Sequence, residues 1–265
     1  MLTGMLENIH RKAPRVHCIA NTVTANDCAN LLLAVGASPI MADDPMESAQ
    51  ITAGCGALAL SLGTPSERRL RAIRLSAEMA RNLDIPVVLD PVGVTVSDVR
   101  RKTAGALLES GLVSVIRGNA SEIRALAGEA YAGCGLDAED GTDAACAAAQ
   151  MLAEKTKTVV AMTGETDIVA DGTRVCRISN GHPIQRSITG AGCQLTALLS
   201  AFAAANPQRC FEASVAGVCM MGLCAEIAYG RMSPLDGNAA CRGYIIDAAY
   251  RMTDKMLMEG AKYAL

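Results

Sequence analysis

Aromatic residues are scarce in this chain: they make up 3% of its 265 residues, and tryptophan is absent. Positive charge is not concentrated anywhere either. Twenty-four Lys and Arg stand against 27 Asp and Glu, for a net charge of -3 and no basic tract. A nucleic-acid binder would need both an electrostatic footprint and stacking platforms, and neither is here. The three histidines, His10, His17 and His182, are dispersed, and the 11 cysteines are an odd number with no C-x-x-C among them. That excludes a zinc-type ligand spacing and leaves the thiols as small core hydrophobes in a reducing compartment, without structural disulfides. The stretch from Met1 to Pro14 carries Glu7, His10, Arg11 and Lys12 and no long apolar core, so it does not read as a signal peptide or an anchor. Apolar runs elsewhere read as too interrupted to span a bilayer. The expectation is a cytoplasmic protein with no membrane or nucleic-acid partner that handles a small molecule.

What is present is apolar content, 51% of the chain, in a repeating order of short strands and longer helices. Strand-like runs at 17–20, 57–62, 87–90, 113–116 and 159–162 alternate with helical patterns at 26–35, 66–82, 98–110, from 121 onward, and at 142–155. Short strands that are apolar on both faces predict a central, mostly parallel sheet covered by helices, an α/β fold in three layers. Residues 168–171 and 174–179 around Gly172 read as a hairpin at the sheet edge. Long helices then follow at 194–205, 211–229 and 237–258. No linker or repeat divides the chain, so residues 1–265 are expected to form one domain.

Glycines and acids fall where the strands end: Gly63, then Asp90-Pro91-Val92-Gly93, Gly118-Asn119, and Thr163-Gly164-Glu165. In a parallel sheet these ends share one edge, which is where open α/β sheets bind ligands. The densest signal is Ser187-Ile188-Thr189-Gly190-Ala191-Gly192-Cys193. Its glycines permit a tight turn whose N–H groups converge on an anion at the positive end of the next helix, where a dipole could acidify Cys193. A plain strand-to-helix turn with a small buried cysteine is the competing reading. Asn119 and Glu122 lie three apart and could hold water around Mg²⁺, or could simply cap a helix. Asp90 is a further magnesium candidate or a turn acid before Pro91, and Arg117 is a phosphate ligand or an exposed cation. The segment 16–41 offers neutral polar groups, Asn21 and Asn26, beside apolar ones such as Met41. That suits a small uncharged ring with one alcohol, although Asn26 as a helix cap and Met41 as core filler are the plainer alternatives.

Five segments together resemble the hydroxyethylthiazole kinase family of the ribokinase-like superfamily: VHCIANTVTANDCANLLLAVGASPIM at 16–41, LDPVGV at 89–94, RGNASEI at 117–123, VVAMTGETDIVADG at 159–172 and ITGAGCQLTALLSAF at 188–202. The likeness runs nearly end to end. A cysteine at position 193, where most ribokinase-like enzymes carry aspartate, is typical of this family. The resemblance implies ATP-dependent phosphorylation of 4-methyl-5-(2-hydroxyethyl)thiazole for thiamine salvage. It implies that Asn21, Val23, Met41, Gly63 and Gly190 line the thiazole site. Arg117 and Thr163 would contact ATP, with Ala191 and Gly192 in the phosphate turn. Asp90, Asn119 and Glu122 would lie on the magnesium side, partly through water, and Cys193 near the alcohol as a weak base. It further implies a homotrimer with sites at subunit boundaries. Thr95-Val96-Ser97 departs from the family's small Gly/Ala-Thr run after Asp-Pro-Val-Gly. A kinase for a hydroxymethylpyrimidine or pyridoxal-like ring, a nicotinamide hydrate dehydratase and a non-catalytic sensor share parts of this pattern.

Overall fold

The computed structural model describes residues 1–128 and 141–265. In chain order its strands are β1 (Arg15–Ile19), β2 (Ser38–Met41), β3 (Ala57–Ser61), β4 (Val87–Asp90), β5 (Val115–Asn119), β6 (Val159–Thr163), β7 (Asp167–Ala170), β8 (Val175–Ile178) and β9 (Tyr263–Ala264). The helices are α1 (Met5–Lys12), α2 (Ala25–Ala34), α3 (Ser48–Ala53), α4 (Glu67–Asn82), α5 (Asp98–Glu109), α6 (Ala120–Ala127), α7 (Gly141–Thr156), α8 (Ala191–Ala205), α9 (Cys210–Arg231), α10 (Asn238–Arg251) and α11 (Asp254–Gly260).

All nine strands join one sheet in the order β2-β1-β3-β4-β5-β6-β7-β8-β9. Strands β1 to β6 run parallel, and β7, β8 and β9 continue the sheet antiparallel. The period-two alternation of side chains explains why the central strands are apolar throughout. Val16, Cys18, Ala59, Val88 and Val115 pack into a core with α1, α2, α8, α9 and α10. Their neighbours Ile19, Leu58, Leu60, Leu89 and Ile116 pack into a second core with α4, α5 and α7. The three-layer α/β architecture expected from the alternation is therefore the one observed.

Several boundaries differ for identifiable reasons. The helix expected at 237–258 is two helices: Met252 turns to an extended conformation (φ -64°, ψ 132°) and the Thr253 side chain caps α11 at the Met256 N–H. Strand β5 starts later than expected and runs to Asn119, because it pairs residue for residue with β6 through Asn119 opposite Thr163. Arg117 thus lies inside a strand. The β7–β8 hairpin is not the sheet edge, since β9 pairs beyond it. Helix α9 also corrects the reading of interrupted apolar runs: residues 207–231 are long and apolar enough to cross a membrane, with a mean hydropathy of 1.5, but 72% of that window is buried. It is a core helix, apolar nearly all round because α8, α10 and the sheet surround it.

Candidate active site

Helix α8 begins at Ala191, with Gly190 as its N-cap at φ 87°. A Cβ on Gly190 would overlap the Thr24 methyl, and one on Gly192 would overlap the Arg117 guanidinium. Gly190 is therefore required by its left-handed torsion and by the close approach of Thr24, and a side chain at position 192 would push the Arg117 guanidinium out of place. The first intrahelical bond runs from the Gln194 N–H to Gly190 O at 2.8 Å. The N–H groups of Gly192 and Cys193 precede it at the positive end of the helix, where they have no intrahelical acceptor.

The ends of β4, β5 and β6 face this turn. Asp90, 1% exposed, accepts a hydrogen bond from the Cys193 thiol, with Sγ 3.4 Å from Oδ2. Its other oxygen, Oδ1, has no hydrogen-bond partner, and Arg117 Nη1 stands 4.0 Å from it. Burial pushes the Asp90 carboxyl above the ordinary aspartate range, and Arg117 pulls it partly back. Burial first, and then the Asp90 charge, push the Cys193 thiol up to about 11. Burial and the neighbouring Asp90 carboxyl thus work against the acidification that the helix dipole offers.

Arg117 is held, not free in solvent. Its Nη2 donates to Thr163 Oγ1 at 2.8 Å, and that hydroxyl donates on to Gly118 O at 3.3 Å. Asn119 and Glu122 form a reciprocal capping box on α6. Asn119 Oδ1 accepts the Glu122 N–H at 2.9 Å, and Glu122 Oε2 accepts the Asn119 N–H at 2.9 Å. Glu122 Oε1 also accepts the Gly93 N–H at 3.1 Å, tying the loop after β4 to α6. The cap reading of this pair is therefore realised. Among the described residues no group of three or more His, Cys, Asp or Glu is arranged to hold a metal ion. Asp90 Oδ1, orphaned and buried with Glu122 near enough to raise its proton affinity, nevertheless fits a Mg²⁺ held by one or two carboxylates, water and substrate phosphates.

A cleft of about 470 Å³ opens from the α8 N-terminus. Arg117, Thr163 and Gly164 form one wall, and Asn180 to Pro183 the other, over Ile188, Leu195, Val218 and Met221. Sequence reasoning missed the second wall and also Asp167. Burial pushes the Asp167 carboxyl up to about 6, while the Gly164 N–H that it accepts at 2.9 Å holds it lower. His182 stacks on Tyr229 with ring centroids 3.6 Å apart.

The segment 16–41 lies at the ends of β1 and β2. Asn21 Oδ1 accepts the Val23 N–H at 3.0 Å, and the Asn21 amide packs against the α-carbon of Gly63. Thr24 joins this group to Gly190 and is the N-cap residue of α2. Asn26 is not the cap: it sits inside α2 and accepts from Asn30 Nδ2 at 3.0 Å. Val23 and Met41 are not core filler, being 68% and 40% exposed. Asn21, Gly63 and Gly190 are thus linked, whereas Val23 and Met41 stand at the open rim.

The model of the hydroxyethylthiazole kinase family matches residues 6–255. The chain belongs to the hydroxyethylthiazole kinase family. A hydroxyethylthiazole kinase of Clostridium acetobutylicum is 43% identical over 270 residues, covering 99% of each chain. A solved structure of the hydroxyethylthiazole kinase protein from Pyrococcus horikoshii superposes with a TM-score of 0.90 at 32% identity, over 99% of this chain and 98% of that one. A ribokinase-like superfamily protein from Enterococcus faecalis, at 13% identity and a TM-score of 0.60 over 92% of this chain and 89% of its own, shares the fold. The ribokinase-like fold and the family expected from the five sequence segments are both the ones found.

Proposed function

We propose that the chain transfers the γ-phosphoryl group of ATP to the hydroxyl of 4-methyl-5-(2-hydroxyethyl)thiazole, a salvage step toward thiamine. The observation that carries this reading at the site is Asp90 and Cys193, which lie at the α8 N-terminus where the cleft meets the Asn21–Gly63–Gly190 group. The cleft would take ATP, with Arg117 and Thr163 on its phosphates, Ala191 and Gly192 in the phosphate turn, and the free N–H groups of Gly192 and Cys193 stabilising the charge on the γ-phosphoryl group as it passes to the alcohol oxygen and ADP leaves. Phosphoryl transfer depends chiefly on positioning and charge stabilisation, which this arrangement supplies. Asp90, with Asn119 and Glu122 partly through water, would hold Mg²⁺, which when bound neutralises phosphate charge. Cys193 cannot accept a proton from the alcohol until its own has passed to Asp90, so its contribution as a base is small.

The thiazole ring would lie against Asn21, Val23, Met41, Gly63 and Gly190. Exposed Val23, Met41 and Met46 leave that side apolar and open, which supports completion by a neighbouring subunit in a homotrimer. One continuous sheet supports residues 1–265 as a single kinase domain, and we place the protein in the cytoplasm.

The test is ADP release from ATP and Mg²⁺ with hydroxyethylthiazole, hydroxymethylpyrimidine, pyridoxal or no acceptor, with the phosphorylated product identified by mass. Thiazole-dependent turnover is expected. Turnover with another ring alone would reassign the acceptor, and nucleotide binding without turnover on any acceptor would favour a sensor.

A further inference from the structure

Arg69 occupies two settings that disfavour a cation. It is in the first turn of α4, at the positive end of the helix, and its side chain is 7% exposed. Local structure explains neither. Among the described residues its only ion-pair partner is Asp43, at a long 3.6 Å, and exposed Arg68 already serves that carboxylate at 3.4 Å. What the buried guanidinium does make is a set of bonds to different loops. Nη2 donates to Ala20 O, after β1. Nη1 donates to Thr64 O at 3.2 Å and to Thr64 Oγ1 at 2.6 Å, after β3. Asp43, beside Nε, follows β2.

Thr64 carries the connection further. It is held at φ 44°, an uncommon torsion for a residue with a Cβ. Because its hydroxyl accepts from Arg69, its single proton is free for Asn21 Oδ1, 3.5 Å away. Asn21 in turn orients the Val23 N–H and packs on Gly63.

We propose that Arg69 is a positioning residue for the acceptor: one guanidinium fixes the loops after β1, β2 and β3 together, so that Asn21 and Gly63 present a single surface to the alcohol. This rests on the reading that Asn21, Val23, Met41 and Gly63 line the acceptor site. A planar fork with several donors can bridge three loops, and a lysine ammonium cannot reproduce that geometry.

The test is steady-state kinetics with each substrate varied in turn. Arg69→Lys should raise KM for the thiazole alcohol about tenfold, while KM for ATP and kcat stay within about twofold, because only acceptor placement is lost. KM values for both substrates rising by one factor would overturn the proposal in favour of a general structural role. If Arg69→Lys does not fold, Thr64→Ala removes the hydroxyl that joins Arg69 to Asn21, together with its long bonds from the Thr22 N–H and hydroxyl, and should shift the same KM, about threefold, and no other. Unchanged acceptor KM in that variant would equally overturn the proposal. Asn21→Ala separates the two readings. If it leaves acceptor KM unchanged, the acceptor assignment fails; if it raises that KM while Arg69→Lys is silent, the clamp fails. Combining Arg69→Lys with Asn21→Ala should cost no more than the larger single effect, and full additivity would show that Arg69 does not act through Asn21.

Discussion

Charge and burial separate the β4–β6 half of the carboxyl edge from the β1–β3 half. On the first half, ionisable groups answer one another within the chain: Arg117 bonds Thr163 and faces Asp90, and Glu122 is tied into the α6 cap. On the second half the groups assigned to the acceptor are a neutral amide and exposed apolar side chains, while the charges beside them are paired with one another and with carbonyls, Arg68 with Asp43 and Asp44 and Arg69 with Asp43 and Thr64 O. The difference follows from the two substrates proposed. A polyphosphate needs fixed positive charge in a site that excludes water, and a buried charge without an internal partner would destabilise the fold. A small uncharged ring needs only shape and one or two hydrogen bonds, so its half can remain open to a neighbouring subunit.

Breaking the charged half should have the largest effect. Arg117→Ala removes the cation proposed for the phosphates and the only ion-pair partner of Asp90 found among the described residues. We expect kcat/KM to fall by about a hundredfold or more with KM for ATP raised, measured by coupled ADP assay. A loss confined to the thiazole KM would contradict the division drawn between the halves. Cys193 lies on the boundary and should matter less. Cys193→Ala should cost less than about tenfold in kcat, whereas a true general base contributes about a hundredfold or more. Cys193→Asp should retain activity with its pH profile displaced upward, because two carboxylates side by side cannot both ionise freely. A normally folded alanine variant with no turnover would restore the thiol as a base.

Asp167 sharpens the comparison through pH. Its proton affinity in the folded chain is raised to about 6, above the ordinary aspartate value. The folded state therefore binds this proton more tightly than the unfolded one. The resulting stabilisation is fully present below the usual aspartate range and is lost as pH rises through about 6. Asp167→Asn should abolish that slope, so the difference in Tm between variant and parent should grow between about pH 4 and 6 and level off above. A pH-independent difference would remove Asp167 from the account.

The two halves were unequally legible in the sequence. Strand ends, the glycine turn and the α6 cap are written in contiguous residues, so their local chemistry could be read directly. The acidity of Cys193 could not, because the group that reverses it, Asp90, is 103 residues away and becomes a neighbour only through the sheet. The cleft wall from Asn180 to Pro183 is likewise built by distant chain: Asn180 bonds Gly260 O and Glu226, and the Lys262 N–H bonds back to Asn180. Helix α1 had no counterpart among the helices expected from sequence and is anchored by Asp254, which accepts the N–H groups of Gly4 and Leu6. Thr253 ahead of Asp254, by contrast, was a visible cap signal for the break between α10 and α11. For Val23 only the resemblance pointed to a role, and Met41 read as ring packing or, more plainly, as core filler, since exposed apolar side chains have no local signature.

Those rim residues yield the smallest expected effect. Met41 ends β2, a strand at the sheet edge whose residues are only partly covered. Met41→Ala removes apolar surface that is already 40% exposed, so the folded chain should lose little stability. If the ring packs there, KM for the thiazole alcohol should rise a few-fold, as expected for losing about one or two methylene contacts, with KM for ATP unchanged. A change in the sedimentation profile of the same variant would place Met41 in a subunit contact as well. If neither moves, the ring does not use this rim, and the open half of the edge must be completed closer to Asn21.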